Sequence, residues 1–274
     1  MEQAESGTVL SQPEEKAGKA RISSRLQILL GRILTGIVIF GLWQGLSGPV
    51  FKSTWVSRPS LIYTRLAKMT MDGSLWFHLS ITLQEMLIGL VIGMIVGTVL
   101  GILMATSGKV QHYFSPYIMA LSSLPRAALA PLFVVWFGIG LNSKISVVVM
   151  MVVFLAYYNA YEGIRNLDSD LTQMMNSFKA TRLQKLRWHT LPSIAPWMMN
   201  SIRLGIGTST IGAVIAEMVG ANRGIGYYIS YSSALIDTTG VFAGLVVIMI
   251  VAVFLDQVIV FSEKQIFKYR SVNG

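Results

Sequence analysis

The sequence predicts an all-α, polytopic membrane protein with about six transmembrane helices, and three observations carry that expectation. The chain of 274 residues is 53% hydrophobic and only 13% Asp, Glu, Lys or Arg, about half the charged share of an ordinary soluble domain. Its apolar residues gather in uncharged runs long enough to cross roughly 30 Å of hydrocarbon at about 1.5 Å per helical residue. Its Lys and Arg residues, 22 against 13 acidic ones, are shared unevenly between the connections.

Residues 1–27 lack an apolar signal-peptide core, and their Ser, Gln, Glu and Lys mix reads as a disordered tail. A transmembrane domain is expected over 28–270, with spans near 28–48, 79–105, 113–137, 144–163, 194–220 and 241–262. Met86 to Ala105, Leu34 to Phe51 and Ile145 to Tyr161 carry no charge, and Val241 to Ser262 carries only Asp256. The other two spans read as broken. Tyr113 to Phe137 holds Pro116, Pro125, Arg126 and Pro131, and Ile194 to Gly220 holds Arg203 and Glu217. Such groups persist at membrane depth only where they face protein or a water-filled cavity.

Six spans place both termini on one side. That side holds 13 of the 22 basic residues and the opposite face 6, Lys144 and Arg223 among them, so the positive-inside rule makes the termini cytoplasmic. Between spans one and two, Leu61, Leu66, Met69 and Met71 alternate with Arg65 and Lys68. This is the pattern of a short amphipathic helix at the outer interface, begun by Ser57 to Ser60 and serving either as a connector or as a contact for an external partner.

Gly89, Gly93, Gly97 and Gly101 recur every fourth residue in span two, which puts them on one helical ridge where another backbone can approach closely. The mate is a helix of the same chain or of a second one. Between spans four and five, a cytoplasmic segment over about 165–192 has an apolar face made by Leu171, Met174, Met175, Phe178, Leu183 and Leu186. Lys179, Ala180 and Thr181 interrupt it, which predicts two short helices at an angle. Thr190, Leu191 and Pro192 read as the start of the next span.

Gln173 to Pro192 (QMMNSFKATRLQKLRWHTLP) resembles the cytoplasmic loop motif of permease subunits in binding-protein-dependent ABC importers. Ser80 to Gly89 (SITLQEMLIG), Leu124 to Gly140 (LPRAALAPLFVVWFGIG), Ser201 to Gly205 (SIRLG) and Ala216 to Gly226 (AEMVGANRGIG) are similar to the nitrate/sulfonate/taurine branch of that family. The resemblance spans Leu61 to Phe267. It departs from the family pattern at Gln173, where an acid is usual, at Met175, where Ala is usual, and at Lys179, where Gly is usual. A side chain at a left-handed turn position costs roughly 1–2 kcal/mol.

The resemblance implies a type I ABC importer transmembrane-domain fold in a bacterial inner membrane. Two permease copies would form the path, and two ATPases would bind ATP and Mg, so that this chain needs no cofactor. An extracytoplasmic solute-binding protein would deliver a small anion such as nitrate, a sulfonate or an aromatic or other organic acid. It also implies that Gln173, Met174, Ser177, Phe178, Lys179, Ala180, Thr181, Leu191 and Pro192 contact the ATPase. Arg126, Arg203 and Glu217 are the candidates for the translocation path, either attracting solute or fixing helices as ion pairs. Glu85 or a second subunit is the expected partner for Arg203, because Arg203 and Glu217, fourteen residues apart on one helix, are separated by about 21 Å.

The residues exclude several other classes. With no cysteine, disulfide scaffolds, thiol catalysis and Cys-ligated metals are absent. His78, His112 and His189 are scattered over different loops and suggest no metal site, and no intramembrane protease pattern appears. Gly101 through Gly108-Lys109 has six residues between its glycines and Val110 after the lysine, so it is not a phosphate-binding loop and the chain is not an ATPase. A secondary carrier working without an ATPase is the main alternative, against which stands the lack of similarity between the halves. A scaffold would not need the amphipathic cytoplasmic segment, and nucleic acid is not an expected partner.

Overall fold

The computed structural model describes residues 13–48 and 55–266, which are helical except for short connections. The chain divides into two compact units, residues 1–61 and 62–274. In the first, α1 (Pro13–Leu46) starts well before the first apolar residue of the expected span. Residues 13–27 are therefore helical, a correction to the expected disordered tail. Pro13 is preorganised for a first turn, Glu14 and Glu15 suit its positive end, and Lys16, Ala17, Lys19 and Ala20 are strong helix formers. Residues 1–12 of that tail lie outside the described residues.

After α1 the chain folds back on itself. The Gln44 amide bonds both the hydroxyl and the backbone N–H of Ser60, each at 3.1 Å. Gly48, at φ 111°, gives the turn its left-handed residue, and the Arg58 guanidinium fills the place a Cβ would take.

In the second unit, α2 (Pro59–Met71) is the expected amphipathic helix. Arg65 Nη1 lies 2.6 Å from Asp237 Oδ2 and donates to the Tyr228 hydroxyl at 3.3 Å. α3 (Ser74–Thr106) follows Gly73, at φ 78°. The span expected at 113–137 is a bent pair: α4 (Gly108–Ser122), then a 3-10 turn (Arg126–Leu129) running into α5 (Ala130–Phe137), with an 82° change of direction. α6 (Leu141–Arg165) leads to α7 (Ser169–Ser177) and α8 (Arg182–Lys185). A π-turn (Leu186–Thr190) continues directly into α9 (Leu191–Gly220), and α10 (Ile225–Ala234) and α11 (Thr238–Ile266) are the last helices of the described residues. Among the described residues five helices are long and apolar enough to cross a membrane, or six if the bent pair is one span.

The span carrying Arg203 and Glu217 is not broken. Arg182 to Gly220 is one helical rod of 39 residues. Thr190 is helical at φ −63° and ψ −57°, so it does not start a new helix. Pro192 has no N–H to return to the preceding turn, and the wider π-turn just before it is where the hydrogen-bond ladder accommodates that missing donor.

α3, α6 and α9 form the centre of the bundle, and small residues decide how they meet. A Cβ built on Gly89 or Gly93 would approach Val148 or Val152 to 2.5 or 2.8 Å, and one on Gly101 would come 2.6 Å from the Tyr157 carbonyl. Gly97 is as close to Val153 and Ala156. The ridge therefore packs on α6 of the same chain, backbone to backbone, which gains dispersion contacts that larger residues would hold apart. α9 approaches with Gly205 against Leu90 and Gly212 against Met151. Met86, Leu90, Val148, Val152, Ile206 and Ala213 fill the space between the three helices. α10 lies on α11 through Ile225, Ile229 and Val247.

Candidate functional site

The bend in the third span follows from Pro125. Its ring removes a backbone donor and pushes Leu124 away from helical geometry, so α4 stops and the 3-10 turn restarts the chain, with Ala128 N bonded to Pro125 O at 2.8 Å. Pro116 lies inside α4 and Pro131 in the first turn of α5, and neither breaks a helix. Arg126 is the first residue after the break. Its Nη1 donates to the Met151 carbonyl at 3.2 Å, and its Cζ lies 5.6 Å from the Phe154 ring centre. Met151 and Phe154 are halfway along α6, so the guanidinium sits at mid-depth of the bundle. No carboxylate among the described residues is within ion-pairing distance of it.

Arg126 lines a cavity of about 640 Å³ walled by Ser122, Pro125, Met151, Phe154, Leu155, Tyr158 and Thr208. Tyr158 and Ser122 share a hydrogen bond of 2.9 Å at its edge. A permanently charged group with unused donors, an aromatic face and three hydroxyl-bearing neighbours can hold an anionic head and an apolar body together.

The other two candidates lie elsewhere. Arg203 Nε is 3.0 Å from Asp256 Oδ1 on α11, so its partner is neither Glu85 nor Glu217. Glu217 is 1% exposed and closes a knot at the end of the bundle opposite α7. Its Oε1 accepts from Thr82 at 2.7 Å and its Oε2 from the Gly226 amide at 2.5 Å, while Thr82 Oγ1 accepts from Ile225 N at 2.9 Å. These bonds satisfy first-turn amides of α10, which have no partners within the helix. A Cβ on Gly224, at φ 104°, would collide with the Glu217 carboxyl, so the glycines of this loop make room for the acid.

Beside that knot, Lys144 Nζ lies 2.7 Å from Glu85 Oε1, with side-chain exposures of 7% and 1%. Lys144, expected at the outer end of the span near 144–163, belongs to the first turns of α6 and is buried. The sequence reading missed this pair, although a glutamate two turns into an apolar span is a sign that a cation must meet it. No group of three or more His, Asp or Glu residues among the described residues could hold a metal.

At the other end, Asp168 caps α7 by accepting from Asp170 N at 2.8 Å. α7 ends in a Schellman arrangement, with Ala180 N bonded to Met175 O at 3.0 Å and Lys179 N to Asn176 O at 2.9 Å. Lys179 occupies the left-handed position at φ 54°. Thr181 and Gln184 then form a reciprocal capping box that starts α8. α7 has no buried residue. Phe178, Leu183 and Trp188 are 78%, 72% and 69% exposed, and Leu171 and Met174 are half-exposed. Gln173, Ser177, Lys179 and Thr181 lie exposed beside them, Ala180 is half-buried, and Leu191 and Pro192 follow the π-turn. The segment is an apolar strip with a basic border of Lys179, Arg182 and Arg187, uncovered by the rest of the chain.

Residues 89–268 match the family described as binding-protein-dependent transport system inner membrane component. The putative aliphatic sulfonates transport permease protein SsuC of Bacillus subtilis (strain 168) is 29% identical over 87% of this chain and 87% of its own length. The riboflavin transport system permease protein RibX of Chloroflexus aurantiacus is 31% identical over 86% of this chain and 91% of its own. The taurine transport system permease protein TauC of Escherichia coli (strain K12) is 31% identical over 68% of each chain. An inward-facing structure of the MetNI methionine ABC transporter shares the fold, with a TM-score of 0.59 at 20% identity over 73% of this chain and 95% of that one. Six apolar spans with one bent pair, an uncovered amphipathic segment between α6 and α9, and these matches lead to one conclusion: the chain belongs to the family of inner membrane components of binding-protein-dependent transport systems, and is an ABC importer permease.

Proposed function

We propose that the chain forms the solute path of an importer for a small organic anion, with the cavity at Arg126 as its mid-membrane station. The observation that carries this reading is a guanidinium at mid-depth with no acid partner among the described residues, opening into about 640 Å³. An ionisable group placed there at the cost of desolvation is a functional residue by default. Relatives named for aliphatic sulfonates and for taurine support an acidic solute. The lining of Pro125, Met151, Phe154 and Leu155 suits an anion with an apolar body better than bare nitrate.

In the same reading both termini and the α7–α8 strip are cytoplasmic, and the strip enters an apolar groove of the ATPase, whose acidic rim meets Lys179, Arg182 and Arg187. A second copy of the chain completes the path, and a binding protein delivers solute to the end that holds Glu217. ATPase closure tilts the spans between two states.

The test is uptake of taurine and of an alkanesulfonate by vesicles holding the permease with its ATPase and binding protein. Losing a charge-assisted hydrogen bond is worth about 1.5–3 kcal/mol, so Arg126→Gln should lower uptake about 10- to 100-fold with ATPase association intact. Uptake within twofold of the parent for every anion the parent carries would refute the role of Arg126.

A further inference from the structure

α7 makes the docking strip, yet none of its residues is buried, so apolar packing does not hold it to the bundle. What ties it there is polar. Thr172, in the first turn of α7, lies 3.0 Å through Oγ1 from Nε2 of His189, which is only 7% exposed. Asn176 is bonded by Lys185, the residue just before the π-turn that contains His189. With the Thr172 hydroxyl turned to the Asp168 carbonyl, 2.8 Å away, the Nε2–H tautomer of His189 supplies the proton of the bond to Thr172 Oγ1.

His189 stands on a rod without a break. The helix from Arg182 to Gly220 has its only departure from α geometry at Leu186–Thr190, and beyond it Thr208 reaches the wall of the Arg126 cavity. From residue 189 to 208 the rod is about 28 Å long. π-turns mark places where a helix ladder can shift. A pull on α7 through Thr172 therefore acts at the one point of the Arg182–Gly220 rod where register is already irregular.

We infer that His189 is a positioning residue that joins the ATPase-docking helix to the cavity wall, passing displacement of α7 through Thr172 to the π-turn and along α9. The inference rests on the proposed docking of an ATPase at the α7–α8 strip. His189 touches neither solute nor nucleotide; it acts through α9.

The test uses the complete transporter, and the cysteine-free chain makes it direct. A single reporter, Thr208→Cys, is labelled with N-ethylmaleimide in the nucleotide-free complex and in the complex trapped with ATP and vanadate. The labelling rate should differ between the two states. In His189→Leu and Thr172→Val that difference should shrink about 3- to 10-fold, the range expected for one hydrogen bond, while ATP hydrolysis and ATPase association persist. The double variant should be no worse than either single one, and His189→Gln, which keeps a donor near the Nε2 position, should restore most of the difference. An undiminished difference in Thr172→Val overturns the inference, and so does a parent whose labelling ignores nucleotide. Thr172→Val decides alone if His189→Leu fails to assemble, since Thr172 is half-buried and outside the apolar clusters. The docking reading fails separately, if Phe178→Asp leaves the ATPase bound.

Discussion

Lys179→Gly should tighten the turn between α7 and α8. Lys179 holds φ 54° at the position that follows the helix cap, and its side chain is exposed, so no packing is lost with it. A Cβ in the left-handed region costs roughly 1–2 kcal/mol. Glycine returns about 0.4–1 kcal/mol of that through the greater freedom of its unfolded chain. The net gain is about 1 kcal/mol, equivalent to roughly a fivefold change in an opening equilibrium. The two Schellman amides, Lys179 N and Ala180 N, report it directly. Hydrogen exchange over residues 175–183, corrected for intrinsic rates, should slow about fivefold in the glycine variant. Lys179→Ala keeps the Cβ and loses the charge, so it should not slow exchange. Equal slowing in both variants, or none in the glycine variant, would show that the turn is not strained and that charge governs it.

Lys144→Met should leave the buried Glu85 carboxylate without its cation, a loss of about 3–5 kcal/mol seen as a lower unfolding midpoint in detergent, and adding Glu85→Met should recover most of it. Gly97→Leu forces a Cβ to within 2.7 Å of Ala156 and 3.0 Å of Tyr157 N, so α3 and α6 must part, at about 1–3 kcal/mol; an unchanged midpoint would contradict the packing described. Asp72 accepts from the Ser74 hydroxyl at 2.6 Å and the Ser74 amide at 2.9 Å, and these bonds hold its carboxyl below the ordinary value of 3.8. A lowered carboxyl stabilises the fold above its unfolded value and loses that contribution as pH falls through the folded one. Exchange at the start of α3, corrected for the intrinsic rate at each pH, should therefore quicken on acidification in the parent and not in Asp72→Asn.

The spans were legible because hydrophobicity along a helix is a one-dimensional property, and so was the glycine ridge, whose four-residue period is fixed by the helix itself. Charge partners were not. Lys144 and Glu85 are 59 residues apart and Arg203 and Asp256 are 53 apart, and only the packing of α6 and α11 decides who meets whom. Which proline breaks a helix could not be read from the sequence. Pro116, Pro192 and Pro196 all sit in continuing helix, while Pro125 breaks one because Ser122 and Ser123 already return their hydroxyls to the Met119 carbonyl and loosen the last turn. Glu217 read as a path residue because an acid at depth is costly; its partners turned out to be the glycine-rich loop a few residues further on, whose job of seating a carboxyl could be seen only once the loop had folded back.

The 82° bend also decides where water must go. Helix ends inside hydrocarbon strand amides and carbonyls that neither lipid nor a straight ladder can satisfy. With Arg126 beside them, those groups draw solvent down to the midpoint of α6 whenever the cavity opens to one side. The insulating layer between the two compartments is then about half of the roughly 30 Å hydrocarbon core. On the path proposed through this cavity, a polar solute sheds its hydration over a thin septum instead of a full bilayer, and the septum, not the bilayer, is the barrier that each ATP-driven stroke has to move past it.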